Sequence, residues 1–576
     1  MKKLTVGCFL ALLAYLYIFS GIGYSVPSKS RVDRMVGPGM DTAQLYAGMS
    51  GAREYVYKDT KNHLAASPWK RTDEFRIHPR VEVDFARQGG SLYFYNYLRH
   101  YYLCGDDPDE SGVWNAIGNL KPAKLQFNPH YTSYGGGYFY TLAAYLKALS
   151  LVGAVKLVPD TKYYFANPDD MGKLYVAART HSALLGTLGI LLLAYLVYRR
   201  TSSALWALVT AALLFSCPTV IVVSKSMKPH LIAMTLGVVV LVLVNKYLSG
   251  KNFRYLLAAL AVCGLAAGTV IYAGVLALYP ILAYIRGRER NRPWGETFKE
   301  LAQGFCIMAA AFLLVNPYWL LEPKEVADNL MTAGNGALVS LAWRTPLVFA
   351  RYCLGIVPSL AFALLAGYSL FRWEEVPPQR KVLLQFLLVM IFFMGSISPV
   401  LPANMRFLVF VAPLYLFFVV DAASGLKTFG KAVPAAAVLA ALLSLYAGLG
   451  YRAYFVDASD DATDTKMRAG AWIDENLRGA SLGHTSDLIP FSFPPVRLAE
   501  HKVVVYQDAT ELVADKDQPD YIVGTGTLLF ISGPGEREKF FKAYTQVMEF
   551  ANSREVMPAS WSIMPANITV YIYKKN

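Results

Sequence analysis

The chain has 576 residues, of which 55% are hydrophobic and only 17% are charged, and its formal net charge is +14. This composition excludes an ordinary soluble protein and indicates a membrane protein. The Lys and Arg residues stand between the apolar segments, which is typical of membrane topology and of attraction to anionic lipid. We therefore expect membrane lipids, and not nucleic acid, as partners.

The chain begins with Lys2 and Lys3, which precede an apolar run over 4–22. The run is about long enough to span a bilayer and no convincing cleavage site follows it, so it predicts an uncleaved first span; a signal peptide is the alternative. Ten further spans are predicted at about 177–198, 203–223, 229–246, 254–269, 270–286, 300–320, 346–370, 382–398, 404–422 and 431–451. With the N-terminus in the cytoplasm, the basic loops fall inside. The sequence thus predicts about eleven helices in the cytoplasmic (inner) membrane.

The first outer loop, about 23–178, is too long to be a plain connection. We assign no role to its part over 23–105 as a whole. Two segments predict interfacial helices: the aromatic run over 91–103, with Arg99 at its polar edge, and the apolar stretch over 137–158. The alternative for the first segment is a helix that packs beneath the loop, and the alternative for the second is a true span.

An acidic cluster stands in this loop and consists of Asp106, Asp107, Asp109 and Glu110. Pro108 can start a helix, which places Asp109 near a helix N-terminus, where a negative charge is stabilised. An ionised carboxylate at a membrane surface suits a general base or a cation ligand. Helix-capping acids in a solvated turn are the structural alternative. The Asp107-x-Asp109 spacing could hold a divalent metal, and no other cofactor is indicated.

The tail changes composition from about Arg452 onwards, where the sequence becomes polar and mixed. The stretch MRAGAWIDENLRG predicts a helix, and KVVVY, DYIVGT and ITVYIY predict short strands. The sequence therefore predicts a transmembrane domain over 1–451 and a small extracytoplasmic α/β domain over 452–576. Nothing in the tail indicates a catalytic site.

The stretch PDESGVWNAIGNLKPAKLQFNPHYTSYGGGYFY resembles polytopic glycosyltransferases of the GT-C type, of the kind grouped with protein O-mannosyltransferases and the aminoarabinose transferase. Its counterparts of the family motifs are Asp109–Glu110, Asn128–Tyr131 and Tyr134–Gly136. Three later segments agree in their order: SKSMKPH at 224–230, GLAAGTVIYAG at 264–274 and FLLVNPYW at 312–319. The resemblance covers roughly residues 105–425 and implies a GT-C-like fold.

The resemblance also implies a mechanism. A sugar on a polyprenyl phosphate would be the donor, and an extracytoplasmic glycan, lipid or protein would be the acceptor. Asp109 would activate the acceptor hydroxyl, with Glu110 beside it, and the anomeric carbon would invert. The phosphate needs cationic partners at the outer ends of spans; the candidates are Lys228, His230, Arg99 and Arg406. The residues expected to support the acceptor or the loop are Asn128, His130, Tyr131 and Tyr134.

Some features compete with this reading. Asp41, in GPGMDTAQLYAGM, starts a possible helix soon after the first span and is a second candidate for the catalytic acid. Thr269 stands where more familiar members of the family have a lysine, so that phosphate partner is missing. A lipid or solute transporter, or a non-catalytic membrane scaffold, is the alternative function. Because we see no internal repeat and almost no charge at mid-span, the pattern favours the enzyme.

Overall fold

A computed structural model of the chain describes residues 2–36, 41–52, 81–84, 92–132, 134–288, 293–334, 345–396, 402–485, 490–497, 500–506, 509–525, 534–552 and 568–576. The described residues form two compact units. The helical unit comprises Met1–Ile22, Gly112–Tyr145 and Ala178–Arg452. The sheet unit comprises Gly23–Ser111, Leu146–Ala177 and Ala453–Asn576. Much of the segment 23–105 lies outside the described residues.

The α-helices are, in chain order, α1 Lys2–Ala14, α2 Lys29–Val36, α3 over 42–52, α4 Leu92–Leu103, α5 Pro108–Asn119, α6 Gly136–Leu151, α7 Thr161–Ala166, α8 Pro168–Thr201, α9 Ala204–Phe215, α10 Pro218–Ser224, α11 His230–Gly250, α12 Phe253–Ala267, α13 Leu278–Gly287, α14 Trp294–Val315, α15 Tyr318–Leu321, α16 Pro323–Gly334, α17 Thr345–Val348, α18 Ile356–Phe371, α19 Pro378–Ser396, α20 Ala412–Ser424, α21 Ala432–Asp457, α22 Thr465–Asn476, α23 Ala509–Ala514 and α24 Pro534–Ala543. Short 3₁₀ segments occur at Pro122–Lys124, Ile271–Ala277, Trp373–Glu375, Pro402–Val411 and Lys427–Phe429, and π-helical turns occur at Tyr15–Phe19 and Phe349–Leu354.

Among the described residues, the helices that are long and apolar enough to cross a bilayer are α8, α11, α14 and α21, with α9 and α10 as a fifth span if the bent pair counts as one. Shorter apolar helices occur at Val6–Phe19, Phe253–Ala267, Ile271–Gly287, Ile356–Phe371 and Leu408–Ser424. The chain is a polytopic α-helical membrane protein, as predicted from its composition. The count of eleven spans and the side on which each terminus lies stay predictions.

The predicted span over 203–223 is not one straight helix. Helices α9 and α10 meet at an angle of 62°. The break falls at Cys217, whose backbone is extended, and Pro218 begins α10. Proline has no N–H to continue the hydrogen-bond ladder of a preceding helix, but it suits the first position of a new one. The bend therefore follows from Pro218.

The helical unit joins three helix ends through one buried acid. Asp421, near the end of α20, accepts a hydrogen bond from Arg380 Nε at 2.8 Å and from Arg200 Nε at 3.2 Å. Arg380 also donates to the backbone oxygen of Asp421 at 2.8 Å. These three residues occupy loop ends that the positive-inside prediction places on the same, cytoplasmic side. Their contact is consistent with the predicted order of span directions.

The described residues of the sheet unit form six strands: β1 Val81–Asp84, β2 Ser481–Thr485, β3 Lys502–Tyr506, β4 Tyr521–Thr525, β5 Tyr544–Phe550 and β6 Val570–Lys575. Their order is β1-β3-β2-β4-β6-β5; β2 pairs in parallel with β3 and β4, and the other pairs are antiparallel. The predicted strands KVVVY, DYIVGT and ITVYIY and the predicted helix at α22 are confirmed. The strand β1 comes from the first outer loop and was not predicted. The domain boundary at 451/452 stays a prediction.

The aromatic run before the acidic cluster is helical, as predicted, and forms α4. Its side chains Tyr97, Leu98 and Tyr101 are each at most 2% exposed. Tyr101 donates from its hydroxyl to the backbone oxygen of Phe493 at 2.9 Å, within the sheet unit. The burial of α4 is therefore that of a packed helix, which was the alternative to an interfacial one. The second predicted interfacial segment, 137–158, is helical only as far as Leu151.

Candidate functional site

The acidic cluster lies where α5 begins. Pro108 is the first residue of the helix, and Asp109 and Glu110 lie in its first turn. The Oδ1 atom of Asp107 accepts the backbone N–H of Asp109 at 3.1 Å, so Asp107 caps the helix. The predicted position of Asp109 at a helix N-terminus is confirmed. A negative charge there is stabilised by the helix dipole.

The four acids of the cluster differ in exposure. Glu110 is 0% exposed, Asp106 is 2% exposed and Asp107 is 4% exposed. Asp109 is half-buried. Of these four acids, all of which the structure describes, Asp109 therefore keeps the greatest access to a molecule arriving from outside. A general base must reach the proton that it removes, so this difference separates Asp109 from its neighbours.

Asp106 is bound to two buried cations within the sheet unit. Lys466 donates to Asp106 Oδ2, and Arg31 Nη1 lies 3.7 Å from Asp106 Oδ1. Arg31 also donates to the backbone oxygen of Tyr101 at 2.6 Å. Burial lowers the pKa of Lys466. Because Asp106 is buried and paired with both cations, it stabilises the fold of the loop and is not available as a base.

The competing acid, Asp41, also caps a helix. Its Oδ1 atom accepts the backbone N–H of Ala43 at 2.9 Å and that of Gln44 at 3.3 Å. The predicted helix after Asp41 is confirmed as α3. The capping bonds give Asp41 a structural function at an exposed position.

In the helical unit, three segments named by the sequence resemblance meet around the glycine run. The N–H of Gly135 donates to Thr269 O at 2.9 Å, and the N–H of Gly136 donates to Asn316 Oδ1 at 2.8 Å. Asn316 Nδ2 in turn donates to Gly268 O at 3.2 Å. Asn316 is 6% exposed. One buried amide therefore joins the glycine run to the end of α12.

These contacts require glycine. A Cβ atom on Gly135 would lie 2.0 Å from the backbone oxygen of Gly268. A Cβ atom on Gly136 would lie 2.1 Å from the backbone oxygen of Val315. Both distances are far below van der Waals contact, and both neighbours are backbone atoms. The close approach of these backbones explains the glycine-rich sequence.

Three of the predicted site residues lie together. The Tyr134 ring contacts the His230 ring edge-to-face, with centroids 5.8 Å apart, and the Tyr131 ring lies 5.7 Å from that of Tyr134. His230 is the first residue of α11 and is 1% exposed. The structure therefore brings together an aromatic pair from the first loop and the residue that opens α11.

The predicted phosphate-binding cations occupy different elements. Lys228 is 1% exposed and stands in the turn between α10 and α11. Arg406 is half-buried in the 3₁₀ segment Pro402–Val411, which packs against α10 and α11. Arg99 belongs to α4, which lies in the sheet unit. Asp109 and Glu110 belong to the same unit. The hydroxyl of Thr269, at the position where the family that the motifs resemble has a lysine, donates to Ala266 O at 2.8 Å.

The predicted loop residues Asn128 and His130 contact an acid that the sequence analysis missed. The N–H of His130 donates to Asn128 Oδ1 at 2.9 Å. His130 Nδ1 lies 3.1 Å from Glu325 Oε1, and Asn128 Nδ2 donates to Glu325 Oε2 at 3.4 Å. Glu322 lies beside them. The Glu-x-x-Glu spacing after the NPYW segment was the available signal, because it places two acids at the start of α16.

The same contacts set the charge of Glu325. Burial raises the pKa of this carboxyl, but hydrogen bonds from Glu322, His130 and Asn128 outweigh burial, so the pKa lies below its ordinary value. Glu325 is therefore ionised at neutral pH, with a histidine nitrogen in contact.

No family model matches the chain, and no curated protein matches it. Among solved structures it is similar to ArnT from Cupriavidus metallidurans bound to undecaprenyl phosphate, with 14% identity over 80% of this chain and 96% of ArnT and a TM-score of 0.40. It is similar to the apo state of the same ArnT with 14% identity over 82% of this chain and 92% of ArnT and a TM-score of 0.43. It is also similar to the archaeal oligosaccharyltransferase AglB from Archaeoglobus fulgidus in complex with an inhibitory peptide and a dolichol-phosphate. The identity is 13% over 79% of this chain and 71% of AglB, and the TM-score is 0.36.

ArnT and AglB are GT-C membrane glycosyltransferases, the class that the motifs of this chain resemble. At these identities and TM-scores the similarity extends over most of the chain and assigns no role to any residue.

Proposed function

We propose that this chain is an integral-membrane glycosyltransferase that moves a sugar from a polyprenyl-phosphate donor to an extracytoplasmic glycan, lipid or protein. One observation carries the proposal: segments far apart in sequence pack together in the helical unit, in the set that resembles the GT-C transferases. These segments are the run over 131–137, residues 268–269, Asn316 and His230. A transporter or a scaffold has no requirement for this set.

Asp109 is the proposed general base. Its carboxylate would take the proton from the acceptor hydroxyl while that oxygen attacks the anomeric carbon. The bond from the anomeric carbon to the phosphate oxygen would break, and the polyprenyl phosphate would leave. The position of Asp109 in the first turn of α5 favours the ionised form, and its partial exposure gives an acceptor access. Glu110, which is fully buried, would position the loop.

The N-terminus of α11 is the proposed phosphate end of the donor site. His230 begins this helix of 21 residues, and Lys228 precedes it by two positions. A helix N-terminus presents backbone N–H groups and a partial positive charge, and both favour a phosphate. Arg406 is a further candidate on the adjacent 3₁₀ segment, and Arg99 is a candidate in the sheet unit. Tyr131 and Tyr134 would flank the reacting sugar or the acceptor.

The experiment is a transfer assay with full-length protein purified in detergent. A panel of undecaprenyl-phosphate pentoses and hexoses serves as donor, a cell-envelope fraction serves as acceptor, and release of undecaprenyl phosphate is measured. We expect turnover with at least one donor. We expect Asp109→Asn to lower turnover by about 10²- to 10⁴-fold with little change in donor binding, because Asn keeps the shape but accepts no proton.

Glu110→Gln and Asp41→Asn are the matched isosteric controls. A milder loss is expected for Glu110→Gln, and near-normal turnover is expected for Asp41→Asn. Full activity in Asp109→Asn together with loss in Asp41→Asn would move the base to the segment before α4. Absence of turnover with every donor in the panel, for a folded protein, would contradict the proposed reaction.

A further inference from the structure

A cluster of possible metal ligands lies in the helical unit, apart from the acid that we propose as base. His130 Nδ1 and the carboxylate oxygens of Glu322 and Glu325 all lie within 4.8 Å of one another. The contact from His130 Nδ1 to Glu325 is 3.1 Å to one oxygen and 3.2 Å to the other. Two ligand atoms bound to one zinc ion at about 2.0–2.1 Å, at a tetrahedral angle, are separated by about 3.3 Å. The distance from His130 Nδ1 to Glu325 is close to this value, and the Glu322 oxygen lies within 4.8 Å of both.

The carboxyl groups of the cluster have no lysine or arginine partner among the described residues. Within the part of the chain that the structure describes, neither Glu322 nor Glu325 forms an ion pair with a lysine or an arginine. The two carboxyl groups lie close enough to share either a proton or a cation.

The ligands are also held in place. Asn128 Nδ2 donates to Glu325 Oε2 at 3.4 Å, and Asn128 Oδ1 accepts the N–H of His130 at 2.9 Å. The second contact holds His130 with a positive φ of 51°. Asn128 itself is 6% exposed. A buried amide that fixes two ligands is the kind of support that metal sites use.

We infer that His130, Glu322 and Glu325 bind one divalent transition-metal ion, with zinc as the ion that the donor set fits best. Imidazole nitrogen favours Zn²⁺ and its neighbours over Mg²⁺ and Ca²⁺, which prefer oxygen ligands alone. Three protein ligands leave a further position for water. The side chain of His130 is 39% exposed and that of Glu325 is 32% exposed, so an ion can enter from solvent.

The ion would join two segments far apart in sequence, since His130 and Glu325 are separated by 195 positions. His130 lies four positions before Tyr134, which contacts His230. Glu322 and Glu325 flank the start of α16. The metal would therefore fix the loop that carries the aromatic pair to the segment after α14, and its role would be to position that loop. The inference does not depend on the glycosyl-transfer reaction.

The experiment measures metal binding by the full-length protein in detergent. The protein is purified with a tag other than polyhistidine, stripped with EDTA, incubated with Zn²⁺ and dialysed to remove the excess. Bound Zn²⁺ is then measured by elemental mass spectrometry. We expect one equivalent of Zn²⁺ in the native sequence, and Co²⁺ substitution should give visible d–d bands that report a nitrogen ligand. Glu322→Gln, Glu325→Gln and His130→Gln should each weaken binding by tenfold or more.

Glu375→Gln is the matched control, because it removes an exposed acid of the same unit that pairs with Arg372. It should bind one equivalent of Zn²⁺. Melting midpoints recorded without metal establish that each variant is folded, and the Co²⁺ spectrum of the native sequence tests the site even if a variant fails to fold. Less than a tenth of an equivalent in the native protein would overturn the inference. Equal binding by the folded Glu322→Gln and Glu325→Gln variants would also overturn it.

Discussion

At the scale of single residues, burial assigns different functions to acids that are adjacent in sequence. Asp106 and Asp109 are three positions apart, yet Asp106 is enclosed with Lys466 and Arg31, whereas Asp109 keeps partial exposure. The spacing of acids in a sequence does not show which carboxylate is paired with buried cations and which one is available for catalysis. The partners of Asp106 come from chain segments far from the cluster, α2 and α22.

Lys228 provides a test of the donor end. A charge-assisted contact to a phosphate contributes about 1.5–3 kcal/mol, which corresponds to roughly tenfold or more in affinity. Lys228→Ala should therefore weaken donor binding by at least that factor, and Lys228→Arg should restore part of it. The measurement is the affinity for undecaprenyl phosphate, with the melting midpoint recorded for each variant.

Lys225 is the matched control for Lys228. It lies three positions earlier, is 0% exposed and donates to the backbone oxygens of Tyr17 and Ile18. Lys225→Met should lower the melting midpoint and leave the donor affinity of the remaining folded protein unchanged. Unchanged donor affinity in a folded Lys228→Ala variant would remove Lys228 from the site.

Asp464 gives the sheet unit a pH-dependent stability. It caps α22 by accepting the N–H groups of Lys466 and Met467, each at 2.9 Å, and Ser25 donates to it at 3.4 Å. Burial raises its pKa to about 6, while the hydrogen bonds oppose this shift and Asp461 adds to it. The folded protein therefore holds this proton more tightly than the unfolded chain does. Its contribution to stability is lost as the pH rises from about 4 to 6.

Replacement of Asp464 by Asn isolates this contribution, because Asn keeps the cap but does not ionise. Relative to the native sequence, Asp464→Asn should become more stable as the pH rises from 4 to 7, by on the order of 3 kcal/mol. The measurement is the difference in melting midpoint between the two proteins at pH 4, 5, 6 and 7. A difference that does not change with pH would show that the pKa of Asp464 is not raised.

At the scale of elements, the glycine run and α12 approach each other through their backbones. Gly135→Ala would place a Cβ atom 2.0 Å from the oxygen of Gly268 and 2.8 Å from Asn316 Oδ1. The backbones must separate, and the bond from Gly135 to Thr269 would stretch. Overpacking of this kind costs about 1–3 kcal/mol or more. We expect a lower melting midpoint and lower yield of folded protein.

Gly118→Ala is the control with the opposite expected sign. Gly118 lies in α5, and a Cβ atom there would meet nothing within 4 Å. Alanine is favoured over glycine inside a helix by about 1 kcal/mol. The variant should be as stable as the native sequence or more stable. A Gly135→Ala variant as stable as Gly118→Ala would contradict the close approach of the two backbones.

The sequence predicted those elements whose signal is local. Pro108 predicts the start of α5, and the run of β-branched residues in KVVVY predicts β3, because each signal depends on neighbouring residues only. Pairing across long separations leaves no such signal. The strand β1 at Val81–Asp84 is defined by its partner β3, which lies more than 400 residues later in the chain. The contact of His130 with Glu325 spans 195 positions and likewise required the structure.

At the scale of the whole molecule, the helix-end contacts agree with the predicted directions of the spans. Arg286, at a predicted inner end, donates from Nε to Gln385 at 3.2 Å, at the inner start of another predicted span. Asn316 and Gly268, at predicted outer ends, are bonded to each other. Because inner ends contact inner ends and outer ends contact outer ends within the helical unit, the order of directions is self-consistent.

The final prediction concerns the side on which the tail lies. Helix α21 has 26 residues, so it is about 39 Å long and exceeds the hydrocarbon thickness of about 30 Å. It separates Lys427, in a predicted inner loop, from Lys574, in β6, and both residues are exposed. In spheroplasts, Lys574→Cys should react with an impermeant thiol reagent above the background of the six native cysteines. Lys427→Cys should react only after lysis. Labelling of both variants before lysis, or of Lys427→Cys alone, would contradict the predicted topology. That topology has the N-terminus in the cytoplasm and an odd number of spans before the tail.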